Sequence, residues 1–311
     1  MNLKGLSEAV GAEVGKVVAG QGEVAEAIVI ALAARGHVLL EGVPGVAKTL
    51  IANATARALG LDSARVQFTP DMLPSDLTGT MTLRGGELSF RPGPVFTNVL
   101  IADEINRTPP KTQAALLESM QEGQVSIEGD PELLPDPFLV VATQNPVEYE
   151  GTYPLPEAQL DRFLLKVDVG YPDAVTERAI LAMEHQGVRP SDLSVIAPVA
   201  ERAAIEAARA DLDATTVSTE LGAYMVELIR RTRDLPSVTL GASPRAAVHL
   251  LAASKARARL SDRDFVTPDD VASVAPPVLR HRIVLAPEAA LERYTPDDAV
   301  AAALSSVPVP R

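Results

Sequence analysis

The sequence predicts an α/β fold: a parallel five-stranded sheet covered by helices on both faces, followed by a separate helical domain. Three observations lead there. Up to about residue 170, short apolar strands alternate with helical stretches, the pattern of βαβ units. The 311 residues are 47% hydrophobic but only 4% aromatic, without tryptophan, so the core rests on Ala, Val, Leu and Ile, which suits helices packed on a parallel sheet. After Tyr171-Pro172 the pattern turns to helices alone, rich in Ala with Glu or Arg. We therefore expect a core over residues 1–190 and a helical domain over 191–311. The linker is expected in Gly187–Pro198, where two prolines interrupt a stretch of little periodicity.

The strand candidates, in order, are Val38–Leu40, Arg65–Phe68, Val99–Asp103, Phe138–Thr143 and Phe163–Val167, each a short apolar run. Two inserts, near 83–90 and 124–135, read as hairpins: Leu83–Phe90 turns at Gly85-Gly86, and Gln124–Asp130 precedes the fourth strand. In the helical domain, Val217, Leu221, Tyr224, Met225 and Leu228 recur at three-to-four spacing and mark one buried helix face.

Between the first strand and a helical run from Lys48 to Leu59, closed by Gly60, lies Gly42-Val43-Pro44-Gly45-Val46-Ala47-Lys48-Thr49. Glycine, four residues, Gly-Lys-Ser/Thr between strand and helix is the pattern of a phosphate-binding loop, in which backbone N–H groups and a helix N-terminus receive a polyanion. Here Ala47 replaces the second glycine. We expect it in backbone that is already helical, where its methyl costs nothing, and we expect phosphate binding to survive. A glycine-rich turn that merely joins strand to helix is the other reading.

Val99-Leu100-Ile101-Ala102-Asp103-Glu104 is an apolar strand that ends in two carboxylates. With a phosphate loop upstream, Asp103 gains a job in holding a magnesium ion shared with Thr49, and Glu104 in polarising an attacking water. Taken alone, such a pair also occurs as simple loop solvation, the less frequent case. The fourth strand ends in Asn145-Pro146, where the amide can orient water, touch the outermost phosphate, or simply form a turn. Arg162, just before the last strand, can stabilise charge on a transferring phosphoryl group, in its own subunit or a neighbouring one. Ser243-Pro244 is a helix start, which puts Arg245 in the first turn against the macrodipole, whereas Thr267-Pro268-Asp269-Asp270 obeys the rule with carboxylates. A bound anion explains Arg245; so does an ordinary salt bridge.

Composition removes other chemistries. Cysteine is absent, which excludes disulfides, thiolate nucleophiles and cysteine zinc sites. His37, His185, His249 and His281 show no metal-binding spacing and no serine stands in a nucleophile elbow, so the histidines read as structural or exposed. The net charge of −13 argues against a surface built to hold nucleic acid. The basic groups Arg230, Arg231, Arg233 and Lys255, Arg257, Arg259 read as helix ends. No apolar run reaches the roughly 20 residues of a membrane span and no signal peptide is evident, so a cytoplasmic protein is expected.

Together, in this order and over nearly the whole chain, these residues resemble the MoxR family of AAA+ ATPases. The resemblance is carried by Glu41-Gly42-Val43-Pro44-Gly45, by Asp103-Glu104-Ile105-Asn106-Arg107 with Pro109-Pro110-Lys111-Thr112-Gln113, and by Pro154-Leu155-Pro156-Glu157-Ala158-Gln159-Leu160-Asp161-Arg162-Phe163. It implies an AAA+ P-loop NTPase core followed by an α-helical lid, with ATP and Mg2+ as ligands. Gly42–Thr49 and Leu50 then correspond to the Walker A region, Asp103-Glu104 to Walker B with Thr49 and Asp103 on the metal, Asn145 to sensor 1, Arg162 to the arginine finger and Arg245 to sensor 2. Val17–Gln21 resembles the segment that flanks adenine, with Val18 and Gly20 in contact. The family further implies a hexameric ring with ATP between subunits and a chaperone-like role in remodelling protein complexes, often with a partner bearing a von Willebrand factor A domain. Two other readings stay open: a nucleic-acid motor that grips DNA with its hairpins, and an ATP-binding scaffold that hardly turns over.

Overall fold

The computed structural model of the chain describes residues 1–84, 87–127, 129–146, 152–187, 189 and 192–310. Helices α1 (Leu3–Val14) and α2 (Gly22–Ala33) lead into the sheet. The core then runs β1 (Val38–Glu41), α3 (Lys48–Ala58), β2 (Ser63–Gln67), α4 (Pro74–Thr78), β3 (Gly79–Arg84), β4 (Glu87–Pro92), β5 (Val99–Asp103), α5 (Pro110–Glu122), β6 (Gln124–Ile127), β7 (Asp130–Leu133), β8 (Leu139–Gln144), α6 (Glu157–Leu160) and β9 (Leu165–Asp168). Five strands form one parallel sheet in the order β2-β5-β8-β1-β9. These are the five expected strands, with ends moved by two residues at most.

The period-two geometry of a strand sorts its side chains to two faces. Leu39, Leu100, Ala102, Val140 and Ala142 pack on Leu77 of α4 and Leu116 and Leu117 of α5. Val38, Leu40, Val99, Ile101, Leu139 and Val141 join the opposite cluster with α1, α2 and α3. Both faces are covered, which is why these strands read as unbroken apolar runs rather than alternating ones. The hairpins β3–β4 and β6–β7 are present and antiparallel; their turn residues Gly85, Gly86 and Glu128 lie outside the described residues.

The sheet is followed by α7 (Ala174–His185), and the helical domain beyond it comprises α8 (Arg202–Asp213), α9 (Thr219–Arg233), β10 (Val238–Leu240), α10 (Pro244–Leu260), α11 (Pro268–Leu279), β11 (Val284–Leu285), α12 (Pro287–Leu291) and α13 (Pro296–Ser306). Leu221, Tyr224, Met225 and Leu228 of α9 are buried, as their spacing predicts, and Val217 is half-buried beside them. The expectation of helices alone is corrected: β10 and β11 form a small antiparallel sheet. Strands of two and three residues leave no periodicity to read. Residues 188, 190 and 191 of the expected linker lie outside the described residues, and the stretch after them is pinned to the end of α3. There Arg57 Nε donates to the Ile196 carbonyl at 3.0 Å and the Val199 N–H to that of Ala58 at 2.8 Å. The helical domain rests on α1 and α2 through α10, and one apolar cluster runs from Ile28 and Leu32 of α2 into Leu250 and Ala253 of α10. Among the described residues no helix is long and apolar enough to cross a membrane.

Register decides where chemistry gathers. Glu41 stands beside Gln144 and Gln67 beside Asp103, so the carboxyl ends of four parallel strands meet at one edge of the sheet. That edge is where open α/β sheets bind ligands.

Candidate functional site

The loop from β1 to α3 is shaped by three unusual positions. A Cβ on Gly42 would stand 2.2 Å from the Val169 carbonyl oxygen, so only glycine lets the loop pass that close. Gly45 has φ +85°. Ala47 has φ 65° and ψ 18°, which corrects the expectation of helical backbone there: the residue is left-handed. The first turn of α3 begins immediately afterwards, with the Ile51 N–H donating to the Ala47 carbonyl at 2.9 Å. Lys48 Nζ donates to the carbonyls of Gly42 at 2.5 Å and Val43 at 2.8 Å, which folds the ammonium over its own loop.

Opposite the loop, Asp103 is 6% exposed and held from three directions. Thr49 Oγ1 lies 3.0 Å from both carboxylate oxygens, Thr143 Oγ1 donates to Oδ1 at 2.6 Å, and Arg65 Nη2 donates to Oδ2 at 2.7 Å. Burial pushes the Asp103 carboxyl up, but the hydrogen bonds from Thr143, Arg65 and Thr49 outweigh it and hold the group below the usual carboxylate range. Glu104 adopts left-handed backbone, φ 57° and ψ 51°. Its N–H donates to the same Thr143 hydroxyl at 3.0 Å, and its Oε2 accepts from Gln67 Nε2 at 2.6 Å and pairs with Arg107 Nε at 3.2 Å. Asn145 is 5% exposed and lines the same space.

These groups enclose a cavity of about 410 Å³ between the loop and the ends of β2, β5 and β8. A second cavity of about 250 Å³ adjoins it and is apolar, walled by Val17, Val18, Pro172 and Ile180. The two share Gly45, Val46, Ala47 and Leu50. A polar compartment beside an apolar one fits a phosphate chain joined to a flat base. The hydroxyl of Thr49 and the ionised Asp103 are hard oxygen donors of the kind Mg2+ takes. Of the sequence-predicted residues, Val18 stands in the apolar wall. Gly20, φ +73°, does not line it and instead abuts α7, where an added Cβ would meet Thr176 at 2.5 Å.

Sequence reasoning missed Arg65, Gln67 and Thr143, which hold the two carboxylates, and Pro172 and Ile180 of the apolar wall. The signal for the first group was pairing: β2 runs beside β5 so that Gln67 faces Asp103. Arg162 and Arg245 do not line the cavity. Arg162 Nη1 donates to the Leu117 carbonyl in the middle of α5. Arg245 sits in the first turn of α10 as expected, with its N–H on the Ser243 Oγ cap at 3.1 Å, and its guanidinium makes no ion pair among the described residues. The two arginines are nevertheless joined, because Ser243 Oγ donates to Asp161 Oδ2 at 2.9 Å.

Comparison with known proteins agrees with this geometry. Residues 37–165 match the family model of the ATPase family associated with various cellular activities (AAA), and residues 230–303 match that of the AAA lid domain. Chaperone MoxR1 of Mycobacterium tuberculosis is 44% identical over 96% of this chain and 81% of its own length. The Bacillus subtilis protein YeaC is 45% identical over 96% of this chain and 92% of its own. A crystal structure from Cytophaga hutchinsonii, 41% identical, superposes with a TM-score of 0.91 over 99% of this chain and 96% of that one. The chain belongs to the MoxR family of AAA+ ATPases and is an ATP hydrolase by class.

Proposed function

We propose that the protein binds ATP with Mg2+ across the two adjoining cavities, hydrolyses it within a homo-hexameric ring, and uses the cycle to remodel or mature protein complexes in the cytoplasm. The observation that carries the reading is the shared wall Gly45–Ala47 and Leu50, with a charged polar compartment on one side and an apolar one on the other. In this reading residues 1–190 act as the nucleotide-binding core and 191–311 as its lid. Thr49 and Asp103 hold the Mg2+, which supplies neutralisation of phosphate charge. Lys48 and the N–H groups at the start of α3 bind the phosphates, and Asn145 and Glu104 orient the attacking water, with Glu104 taking its proton. Gln67 and Thr143 fix where that carboxylate stands. Arg162 and Arg245, away from their own chain's cavity, serve the nucleotide of a neighbouring subunit. The remodelling role is supported by the name of the Mycobacterium tuberculosis relative, a chaperone. A partner bearing a von Willebrand factor A domain completes the proposal.

Steady-state hydrolysis and nucleotide binding, with and without DNA, test this reading. Glu104→Gln is expected to lower turnover at least about 100-fold with ATP affinity within about 3-fold, as loss of a general base requires. Arg162→Ala is expected to lower it about 1,000-fold or more, also with affinity retained. Stimulation by DNA would favour the motor reading, and absence of turnover in the unaltered protein the scaffold reading. Equal loss of binding and turnover in Arg162→Ala would refute its placement across a subunit boundary.

A further inference from the structure

Arg282 is among the most enclosed charges of the chain, its side chain 1% exposed. It closes the turn that follows α11, and its guanidinium is spent almost wholly on the core. Nε donates to Asp161 Oδ1 at 2.7 Å, and Nη2 donates to the carbonyls of Asp161 at 3.0 Å and Phe163 at 2.6 Å. His249 Nδ1 stands 2.5 Å from the same Nη2, and Nη1 reaches the Val278 carbonyl. His281 Nε2 adds a fourth tie, to the Phe163 carbonyl at 3.1 Å. The helical domain therefore grips the residues on either side of Arg162. The remaining oxygen of Asp161 accepts from the Ser243 hydroxyl, whose oxygen caps the helix that carries Arg245. One carboxylate thus ties the backbone of Arg162 to the backbone of Arg245.

Burying a charge this completely is costly before pairing, and apolar packing of the same volume holds two domains together at least as well. What apolar packing lacks is direction. Five donors in a rigid planar fork fix the angle as well as the distance of the groups they hold. We infer that Arg282 is a positioning residue: through Asp161 it locks the core arginine Arg162 and the lid arginine Arg245 into one face that is presented to a neighbour's nucleotide as a unit. The inference rests on the reading that these two arginines act across a subunit boundary. It assigns Arg282 no contact with nucleotide.

The test is mixed-ring complementation in the full chain, with Arg282→Met, Arg162→Ala and Glu104→Gln. Alone, Arg282→Met is expected to lower turnover about 10- to 100-fold, the scale of a misplaced catalytic group, with affinity for a fluorescent ATP analogue within about 3-fold. A Glu104→Gln subunit has a dead pocket but an intact arginine face, and an Arg282→Met subunit the reverse. Rings co-expressed from the two should hydrolyse ATP several-fold faster than the mean of the separate variants. Arg162→Ala with Glu104→Gln is the control for the underlying reading. If the control pair recovers and the Arg282→Met pair does not, Arg282 is merely structural and the inference falls while the reading stands. If neither pair recovers, the reading falls and takes the inference with it. Should Arg282→Met fail to fold, Ser243→Ala, which removes one tie to Asp161 and leaves the ion pair, replaces it. Its expected loss is about 3- to 10-fold, with recovery in the same mixture.

Discussion

At the scale of single residues, Ala47 and Glu104 both hold left-handed backbone at the edge of one cavity, φ 65° and 57°. Each such non-glycine residue stores roughly 1–3 kcal/mol of strain, tolerated where the surrounding structure over-determines it. For Glu104 the reason is visible. The left-handed turn leaves its N–H on the Thr143 hydroxyl that also serves Asp103, so strain in the backbone aims the carboxylate. Ala47 has no side chain to aim and stands where the loop pattern calls for glycine. Ala47→Gly relieves about 1–2 kcal/mol of left-handed strain and gives back about 0.4–1 kcal/mol through a freer unfolded chain. A net gain of roughly 0.5–1 kcal/mol should raise the melting temperature by about 1–3 °C, with ATP affinity within about 3-fold. An unchanged or lower melting temperature would show that the loop does not bear this strain. The sequence made the loop, the carboxylate pair and Asn145 legible because each is a contiguous run with a pattern of its own. It left Ala47's backbone angle unread, since a single replaced glycine looks the same whether the site is helical or left-handed. Arg65, Gln67 and Thr143 were hidden for another reason: their roles exist only once β2, β5 and β8 are paired in register.

At the scale of elements, the helix starts of the helical domain behave as local chemistry dictates. Thr267 caps α11, and Asp270 returns the bond by accepting from the Thr267 N–H at 2.8 Å. Asp270 is 3% exposed and also accepts both arms of Arg263 at 2.6 Å. Burial raises its pKa, but Arg263 and the Thr267 bonds lower it by more, and the folded carboxyl titrates below its ordinary value. Asp270→Asn keeps the shape, removes the charge and leaves Arg263 short of a partner. With Arg263 partly open to water, the cost should be about 2–3 kcal/mol by urea denaturation at neutral pH, at the low end for a broken buried pair. A loss under about 0.5 kcal/mol would mean that the helix start is held by apolar packing alone. α11 was legible because cap, proline and acids lie within four residues, and the sheet because five apolar runs are bounded by turn signals. β10 and β11 were not, since their pairing joins segments more than forty residues apart that carry almost no pattern individually.

At the scale of the whole molecule, two joints turn on neutral imidazoles. His37 joins sheet to α5: its Nδ1 accepts the Val140 N–H at 3.0 Å and its Nε2 donates to the Met120 carbonyl at 3.0 Å. His249 and His281 join core to lid around Arg282. Burial pushes His37 down to about 4, and burial with the Arg282 charge pushes His249 down to about 4 and His281 well below its ordinary value. The consequence for stability follows from the sign of these shifts. Above pH 6.5, the ordinary histidine value, both folded and unfolded chains hold neutral rings and stability is flat. Below it the unfolded chain takes up protons that the folded chain refuses, so stability falls steadily until folded His37 and His249 titrate near pH 4, with His281 holding out below its ordinary value throughout. Each ring contributes a slope of at most about 1.4 kcal/mol per pH unit, and with His249 only partly enclosed the total is about 3 kcal/mol per unit between pH 6 and 5. Asp103 and Asp270, with lowered values, add nothing until the pH drops through the carboxylate range near 4, so the two effects separate on the pH axis. Urea unfolding at half-unit steps from pH 7.5 to 5 measures this directly. His37→Gln, which keeps a donor and an acceptor but cannot titrate, should flatten the slope by about 1.4 kcal/mol per unit. A wild-type curve level from pH 6.5 to 5 would mean that these rings charge in the folded protein and that both joints tolerate the imidazolium.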